Sequence, residues 1–202
     1  MVKPEPGSAD TPRVIGDGFP ALLCDLQAGD ERAFATLWPT IQPALLRYLR
    51  VVVHTAAEDV ASETWARIAR DIGRFEGSEA DFRAWVFTIA RHRALDWRRY
   101  EARRPSDPHP DDVLADRAAT DDTAAAALEA DSLDAALALI STLPPDQAEV
   151  VMLRAVAGLD VASVASILGK RPGAVRALAH RGLRRLARQV EAEDTRPGRV
   201  TR

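Results

Sequence analysis

The sequence predicts an all-α protein of two small helical domains joined by an acidic, flexible linker, and three observations predict it. Apolar residues recur with a spacing near 3.6 wherever they cluster, and no strand-like alternation occurs anywhere in the 202 residues. Charge is sorted along the chain: residues 91 to 104 carry six arginines against Asp96 and Glu101, and residues 170 to 188 carry seven Lys/Arg and no acid. Between them, residues 105 to 131 hold eight acids against Arg117 alone. Proline and glycine fall between the apolar runs, at "PSDPHP", "LPPDQ", Gly29, Gly158 and Gly169, where helices must stop or turn.

The N-terminal module is expected over residues 19 to 103, after a disordered tail at 1 to 18. Its first helix carries Leu22, Leu23 and Leu26 and is expected to end near Gly29. A second follows with Phe34, Leu37, Trp38, Ile41, Leu45 and Leu46 on one side, and Pro39 and Pro43 are expected to bend it. In "TAAEDVASETWARIARDIGRF", Ala61, Trp65, Ile68 and Ile72 form one stripe, while Asp59, Ser62, Glu63 and Arg70 point away from it. Thr55 is placed to cap this helix, with Glu58 three residues on completing a capping box. After the loop "EGSEA" comes "FRAWVFTIARHRALDWRRYEARR", with Phe82, Trp85, Val86 and Ile89 as its inward face.

Residues 104 to 130 read as the acidic linker, since three prolines within six residues forbid a continuous helix and Asp, Ala and Thr offer little to bury. Its last part, "TAAAALEADSL", can start a helix. The C-terminal module, residues 131 to 190, divides into four helices, with Asp146 and Asp160 as N-caps and Gly158 and Gly169 at C-caps or turns. Residues 191 to 202 are left as a tail.

Composition excludes several classes of function. With 47% apolar and 28% charged residues the chain suits a globular fold, and neither a run of eighteen apolar residues nor an apolar signal region is present. A cytoplasmic protein without a membrane partner is therefore expected. Cys24 is the only cysteine and is expected to be buried as a small apolar side chain, and the four histidines are too dispersed to form a zinc motif with it. No nucleophile and base pair, phosphate-cradling glycine loop or metal cluster can be named, so neither a catalytic residue nor a cofactor is expected.

The sharpest local signal is "LDVASVASILGKRPGAVRALAHRGL". A helix-turn-helix needs a small residue where its helices cross, a turn residue that tolerates a left-handed backbone, and later apolar residues that lock the second helix. Ala165, Gly169, Val175 and Leu178 meet these needs, and the second helix then begins near Pro172. It presents Arg176, Ala177, His180, Arg181, Arg184 and Arg185 outward or at its edges. Arginine spans guanine O6 and N7 or grips a phosphate, so this surface suits a major groove. The basic run from 91 to 104 holds Trp97 and Tyr100 beside its arginines; such rings stack on unpaired bases, at roughly 1–3 kcal/mol each.

In this order the parts resemble the extracytoplasmic-function (ECF, group 4) sigma factors of bacterial RNA polymerase. "AEDVASETWARI" is similar to the family's core-binding helix, although Ser62 stands where glutamine is usual and Trp65 where phenylalanine is. "FRAWVFTIARHRALDWRR" resembles the −10 segment. "LPPDQAEVVMLR" with the helix-turn-helix resembles the −35 domain, with Leu178-Ala179 where Arg-Leu is frequent. The resemblance implies sigma-2-like and sigma-4-like domains and partners in the RNA polymerase core (the β′ clamp helices and the β flap), in promoter DNA and, in many members, in an anti-sigma factor. It assigns core binding to Asp59, Ser62, Glu63 and Arg70. It assigns the −10 element to Phe75, Glu76, Gly77, Ser78, Arg83, Arg91, Arg93, Trp97, Arg98 and Arg99. To the −35 element it assigns Arg171, Pro172, Gly173, Ala174, Arg176, Ala177, His180, Arg181, Arg184 and Arg185. The acidic linker would run through the basic active-centre cleft of the polymerase.

A rival reading uses the same helix-turn-helix. A stand-alone repressor with a helical sensing or dimerisation domain would bind a palindrome as a symmetric dimer, whereas a sigma factor is a monomer that needs polymerase.

Overall fold

A computed structural model describes residues 15–103 and 124–194, with no side-chain description for 124–131 and 193–194. Every regular element among the described residues is helical. The chain forms α1 (Phe19–Gln27), α2 (Glu31–Val53), α3 (Ala57–Asp71), α4 (Glu79–Glu101), α5 (Ala124–Ser141), α6 (Pro145–Val151), α7 (Val161–Leu168) and α8 (Pro172–Asp194). No helix among the described residues is long and apolar enough to cross a membrane.

The first four helices form one body around α2. Leu37, Ile41, Leu45, Tyr48 and Leu49 are buried along one side of α2, at the i, i+4 and i+7 positions of a helix face. Onto them pack Val60 and Trp65 of α3 and Phe82, Val86 and Phe87 of α4. Tyr48 meets Phe87 edge-on with ring centroids 5.5 Å apart. Thr64, a buried polar residue of α3, satisfies its hydroxyl on the Val60 carbonyl at 2.7 Å. The expected bend at Pro39 and Pro43 does not divide α2, which stays one 23-residue helix through both prolines.

Several local expectations are corrected. Thr55 does not cap α3: it lies in a 3-10 turn (His54–Ala56), and the N-cap position is Ala56, which makes no side-chain cap bond. Glu58 instead pairs with Arg50 across the α2–α3 corner at 3.4 Å. His54 turns that corner with φ 50 and ψ -109, a positive-φ backbone that a non-glycine residue rarely adopts. Cys24 is exposed, not buried, because α1 turns Leu26 rather than Cys24 into the core. Trp85 and Ile89 of α4 are half-buried, and the fully buried face is instead Phe82, Val86, Phe87, Ala90 and Ala94. The tail expected at 1 to 18 is folded at its end: Gly16–Gly18 form a 3-10 turn, and the amides of Ile15 and Gly16 both donate to Glu79 at 2.9 Å.

The second body comprises α5 to α8. Most of the expected linker, residues 104–123, lies outside the described residues, but α5 begins at Ala124 and so takes in the end of that segment. Asp160 caps α7, accepting from the Ser163 amide at 2.6 Å. Asp146 does not cap α6; Pro144 holds that position, and Asp146, within the first turn, pairs with Lys170 at 2.9 Å. Residues Met152–Val156 continue α6 as a π turn, with the Ala157 amide on the Met152 carbonyl. Gly158 has φ +69, ending this run before α7. The helix-turn-helix closes on Gly169 (φ 61, ψ 32), where Lys170 and Gly169 amides return to the Ala165 and Ser166 carbonyls. α8 continues to Asp194, past the expected domain end at 190.

Gly182 of α8 sits against α6: a Cβ there would lie 2.9 Å from a Val151 methyl. Val151 is a buried branched side chain with no room to yield. Gly182→Val is therefore expected to destabilise the protein by roughly 1–3 kcal/mol through overpacking, measured as a fall in the urea midpoint at constant slope.

Candidate nucleic-acid interface

Three surfaces carry the residues singled out by sequence. The first is the leading half of α8. Val175 is fully buried and Ala165 nearly so, and together they lock α8 across α7. Locking that side turns the other outward: Arg171, Pro172, Gly173, Ala174, Arg176, Ala177, His180, Arg181, Arg184 and Arg185 are all exposed. A recess of ≈ 340 Å³ lies between Gln147 of α6 and His180, Arg181, Arg184, Arg185 and Arg188 of α8. With no carboxylate among its lining residues, this wall concentrates positive potential at phosphate scale. The side-chain oxygen of Gln147 is buried without a hydrogen-bond partner among the described residues.

The second surface is the loop before α4 and the far half of α4. Phe75 is half-buried, with its ring 5.3 Å from Phe82 and 5.1 Å from Trp85. Glu76, Gly77 and Ser78 are exposed. Gly77 adopts φ +149 and packs so closely that a Cβ would come 2.9 Å from Asp81 Cβ, so this turn requires glycine. Ser78 is the N-cap of α4 in a capping box: its hydroxyl faces the Asp81 amide, and Asp81 accepts from the Ser78 amide at 2.9 Å and hydroxyl at 2.7 Å. Those bonds hold the Asp81 carboxyl below its ordinary pKa. The Ser78 side chain is thus part of the helix cap.

Along α4 the arginines are not equivalent. Arg83 is 6% exposed and pairs with Glu79 at 3.4 Å, one turn back, while reaching the Thr40 carbonyl of α2 at 3.5 Å. Arg83 is therefore an internal tie between α4 and α2 rather than a surface cation, because its position follows Phe82 onto the buried face. Burial lowers its pKa, and Glu79 partly offsets this. Arg91 is half-buried and pairs with Glu149 of α6 at 2.8 Å. Arg93 and Trp97 are half-buried, with Trp97 packed against the core. Arg98 and Arg99 are exposed; Arg99 pairs with Asp96 at 3.3 Å. Tyr100, which the sequence placed beside Trp97, is the aromatic that stands out from this helix, 55% exposed.

The third surface is on α3. Asp59, Ser62, Glu63 and Arg70 are all exposed, one helical stripe opposite buried Val60, Thr64, Trp65 and Ile68. Trp65, buried in α3, donates its indole N–H to Gln42 at 2.6 Å and stacks with Trp38 of α2, centroids 4.9 Å apart. Phe34 extends this cluster to the surface at 37% exposure, edge-on to Trp65.

Two residues that the sequence reading passed over organise the second surface. Gln27, the last residue of α1, donates its side-chain amide to the Ile72 carbonyl at 3.1 Å and to the Phe75 carbonyl at 2.9 Å. Glu79 joins the Ile15 and Gly16 amides to Arg83. Their long-range partners lie outside any local pattern: Gln27 is 45 and 48 residues from its partners, and Glu79 is 64 and 63 residues from the amides it accepts.

Comparison with known proteins supplies the class. Residues 37–104 match the family Sigma-70 region 2, and residues 133–186 match Sigma-70, region 4. An ECF RNA polymerase sigma factor, SigD, of Mycobacterium tuberculosis is 32% identical over 184 residues, covering 88% of this chain and 86% of SigD. ShbA of Streptomyces griseus, also an ECF RNA polymerase sigma factor, is 34% identical over 193 residues, 90% of this chain and 98% of ShbA. Among solved structures, the sigma factor RpoE of Bartonella quintana, in complex with the anti-sigma factor NepR, has TM-score 0.60 and 25% identity, covering 78% of this chain and 96% of that one. CnrH, solved with the cytosolic domain of CnrY, shares the fold at TM-score 0.59 and 24% identity, over 87% of this chain and 99% of CnrH. The chain belongs to the ECF RNA polymerase sigma factors. Region 2 accounts for most of the N-terminal body, the part that the rival reading assigned to sensing or dimerisation.

Gln27→Ala is expected to remove the side-chain donor from the Phe75 carbonyl and one of two donors from the Ile72 carbonyl, which keeps the Phe75 amide. Amide hydrogen exchange in residues 72–78 should accelerate, while global stability falls by only about 0.5–1.5 kcal/mol.

Proposed function

We propose that this protein is a group 4 sigma factor that recruits RNA polymerase core, reads a −35 duplex with α8 and helps to open a −10 element with the loop and outer half of α4. The observation that carries the reading is the exposed face of α8, acid-free from Pro172 to Arg188, set on a left-handed turn at Gly169. A helix so held inserts its leading turns into a major groove, where Arg176 and Arg181 can span guanine edges and Arg171, Arg184 and Arg185 can reach phosphates. Pro172, Gly173, Ala174, Ala177 and His180 then line the close approach.

The division of the chain follows from this reading. With the ends as the fold sets them, residues 15–103 would be the sigma-2-like domain, 104–123 the acidic linker and 124–194 the sigma-4-like domain. Asp59, Ser62, Glu63 and Arg70 would meet the β′ clamp helices, an acidic stripe against a basic partner, and the C-terminal domain the β flap. Glu76, Gly77 and Ser78 would shape the pocket for a displaced base over Phe75. Arg91, Arg93, Trp97, Arg98 and Arg99 would grip the melted strand, and Arg83 would position α4 from within. The protein would act in the cytoplasm, with bond formation left to the polymerase and no cofactor of its own. The Bartonella quintana relative bound by NepR supports an anti-sigma factor as a further partner.

Run-off transcription with purified core polymerase on genomic fragments tests the reading, which fails if no fragment yields a specific start. On a cognate promoter, Arg176→Ala or Arg181→Ala should each weaken −35 recognition by roughly 1–3 kcal/mol, about 5- to 150-fold. Combining Asp59→Arg with Glu63→Arg should reduce capture of core polymerase in a pull-down and leave helix content unchanged; equal capture removes α3 from the docking surface.

A further inference from the structure

The two bodies meet at a carboxylate. Glu149 of α6 accepts at a single oxygen, Oε1, from the Tyr48 hydroxyl of α2 at 3.0 Å and from Arg91 Nε of α4 at 2.8 Å. The Arg91 and Glu149 side chains retain only 20% and 16% of their exposure, and Tyr48 is fully buried. Around this point α6 and its π turn pack on α2, while α7 packs on α4. Burial and the adjacent Glu149 raise the Tyr48 pKa well above its ordinary value, so the phenol stays protonated and keeps donating.

We propose that Glu149 closes the protein into a resting state in which the helix-turn-helix body rests on the first body and occupies the Arg91 guanidinium. Three features support closure by this residue. The charge pair joins residues 58 apart in sequence and belongs to neither body alone. It lies in a seam whose apolar contacts run continuously from one body to the other, where screening by solvent is weak and a two-donor carboxylate sets the register of docking. Breaking it leaves Glu149, Tyr48 and Arg91 all to be resolvated or repartnered, so the open form is disfavoured until a partner takes their place.

The consequence for DNA rests on the proposed function. With its Nε–H held by Glu149 and its side chain only 20% exposed, Arg91 is kept from the melted strand while the bodies are closed. Apparent affinity for the strand then falls by the fraction of molecules that are open. Arg98 and Arg99, outside the seam, stay exposed in the closed state and can make the first contacts.

Closure is tested without promoter or polymerase. The full chain is measured by size-exclusion-coupled small-angle X-ray scattering, with circular dichroism confirming helix content. The wild type should scatter as a compact particle, and Glu149→Arg should raise the radius of gyration by on the order of 3 Å or more as the bodies part. Arg91→Glu combined with Glu149→Arg should restore the compact value by reversing the pair. In parallel, phenylglyoxal modification followed by peptide mass spectrometry should show Arg91 protected in the wild type and reacting at the rate of Arg98 and Arg99 in Glu149→Gln. Asp146→Asn, an equal charge change on the same helix away from Arg91, should leave that protection intact. A folded Glu149→Arg as compact as the wild type, a charge-reversed pair that stays open, or an Arg91 already reactive in the wild type overturns the proposal. Should Glu149→Arg fail to fold, the Glu149→Gln footprint decides alone, and no gain in Arg91 reactivity overturns it. Failure of run-off transcription would leave these readings untouched, so closure and promoter function can be refuted separately.

Discussion

Burial of one side of α2 is the constraint on which the remaining architecture depends. Leu37, Ile41, Leu45 and Leu49 recur at intervals of four, so a continuous helix is the conformation that removes them from water together. Pro39 and Pro43 each delete one backbone donor, yet the helix continues, because breaking it would disperse the apolar side that α1, α3 and α4 cover. Tyr48 then extends the same side to the seam, where its hydroxyl meets Glu149 of the second body. The core of the first body and the docking of the second are therefore consecutive parts of one helix surface.

Burial also decides which charges are available for binding. Six arginines between 91 and 104 look equivalent as a string, but α4 turns the four that it carries, Arg91, Arg93, Arg98 and Arg99, to different sides. Arg91 is claimed by Glu149, and Arg98 and Arg99 face solvent. Arg83, just outside the run, is claimed by Glu79 inside the body. On α8 the sorting is simpler, since Val175 and Gly182 take the inner side and the basic residues share the outer one. A shared basic composition thus yields two unlike surfaces: a continuous one on α8, and one on α4 whose inner member depends on how the bodies are joined.

Much of the fold was legible because it is local. The 3.6-residue spacing placed the helices, Gly29 and Gly169 ended them with the positive φ that favours glycine, and Asp160 capped α7 where it was expected. The failures share one cause. Thr55 and Glu58 have the spacing of a capping box, but the positive-φ residue His54 turns the chain so that Ala56 takes the cap position and Glu58 finds Arg50. Asp146 stood before a helix but found Lys170, 24 residues on. Cys24 was read by its residue type, whereas its exposure follows from which side of α1 meets α2 and α4. In each case packing or a pairing outside the helix in question decided against the local preference.

The sequence by itself determined that this protein is helical, where its helix-turn-helix lies and which segments carry positive charge, since periodicity, turn residues and charge order act over a few residues at a time. Tertiary structure alone decided which arginines are available, that Gln27 holds the loop before α4, and that Glu149 joins the two bodies. Those outcomes depend on contacts between residues 45 to 101 positions apart, or on which side of a helix is covered, and side-chain spacing along one helix contains no record of either.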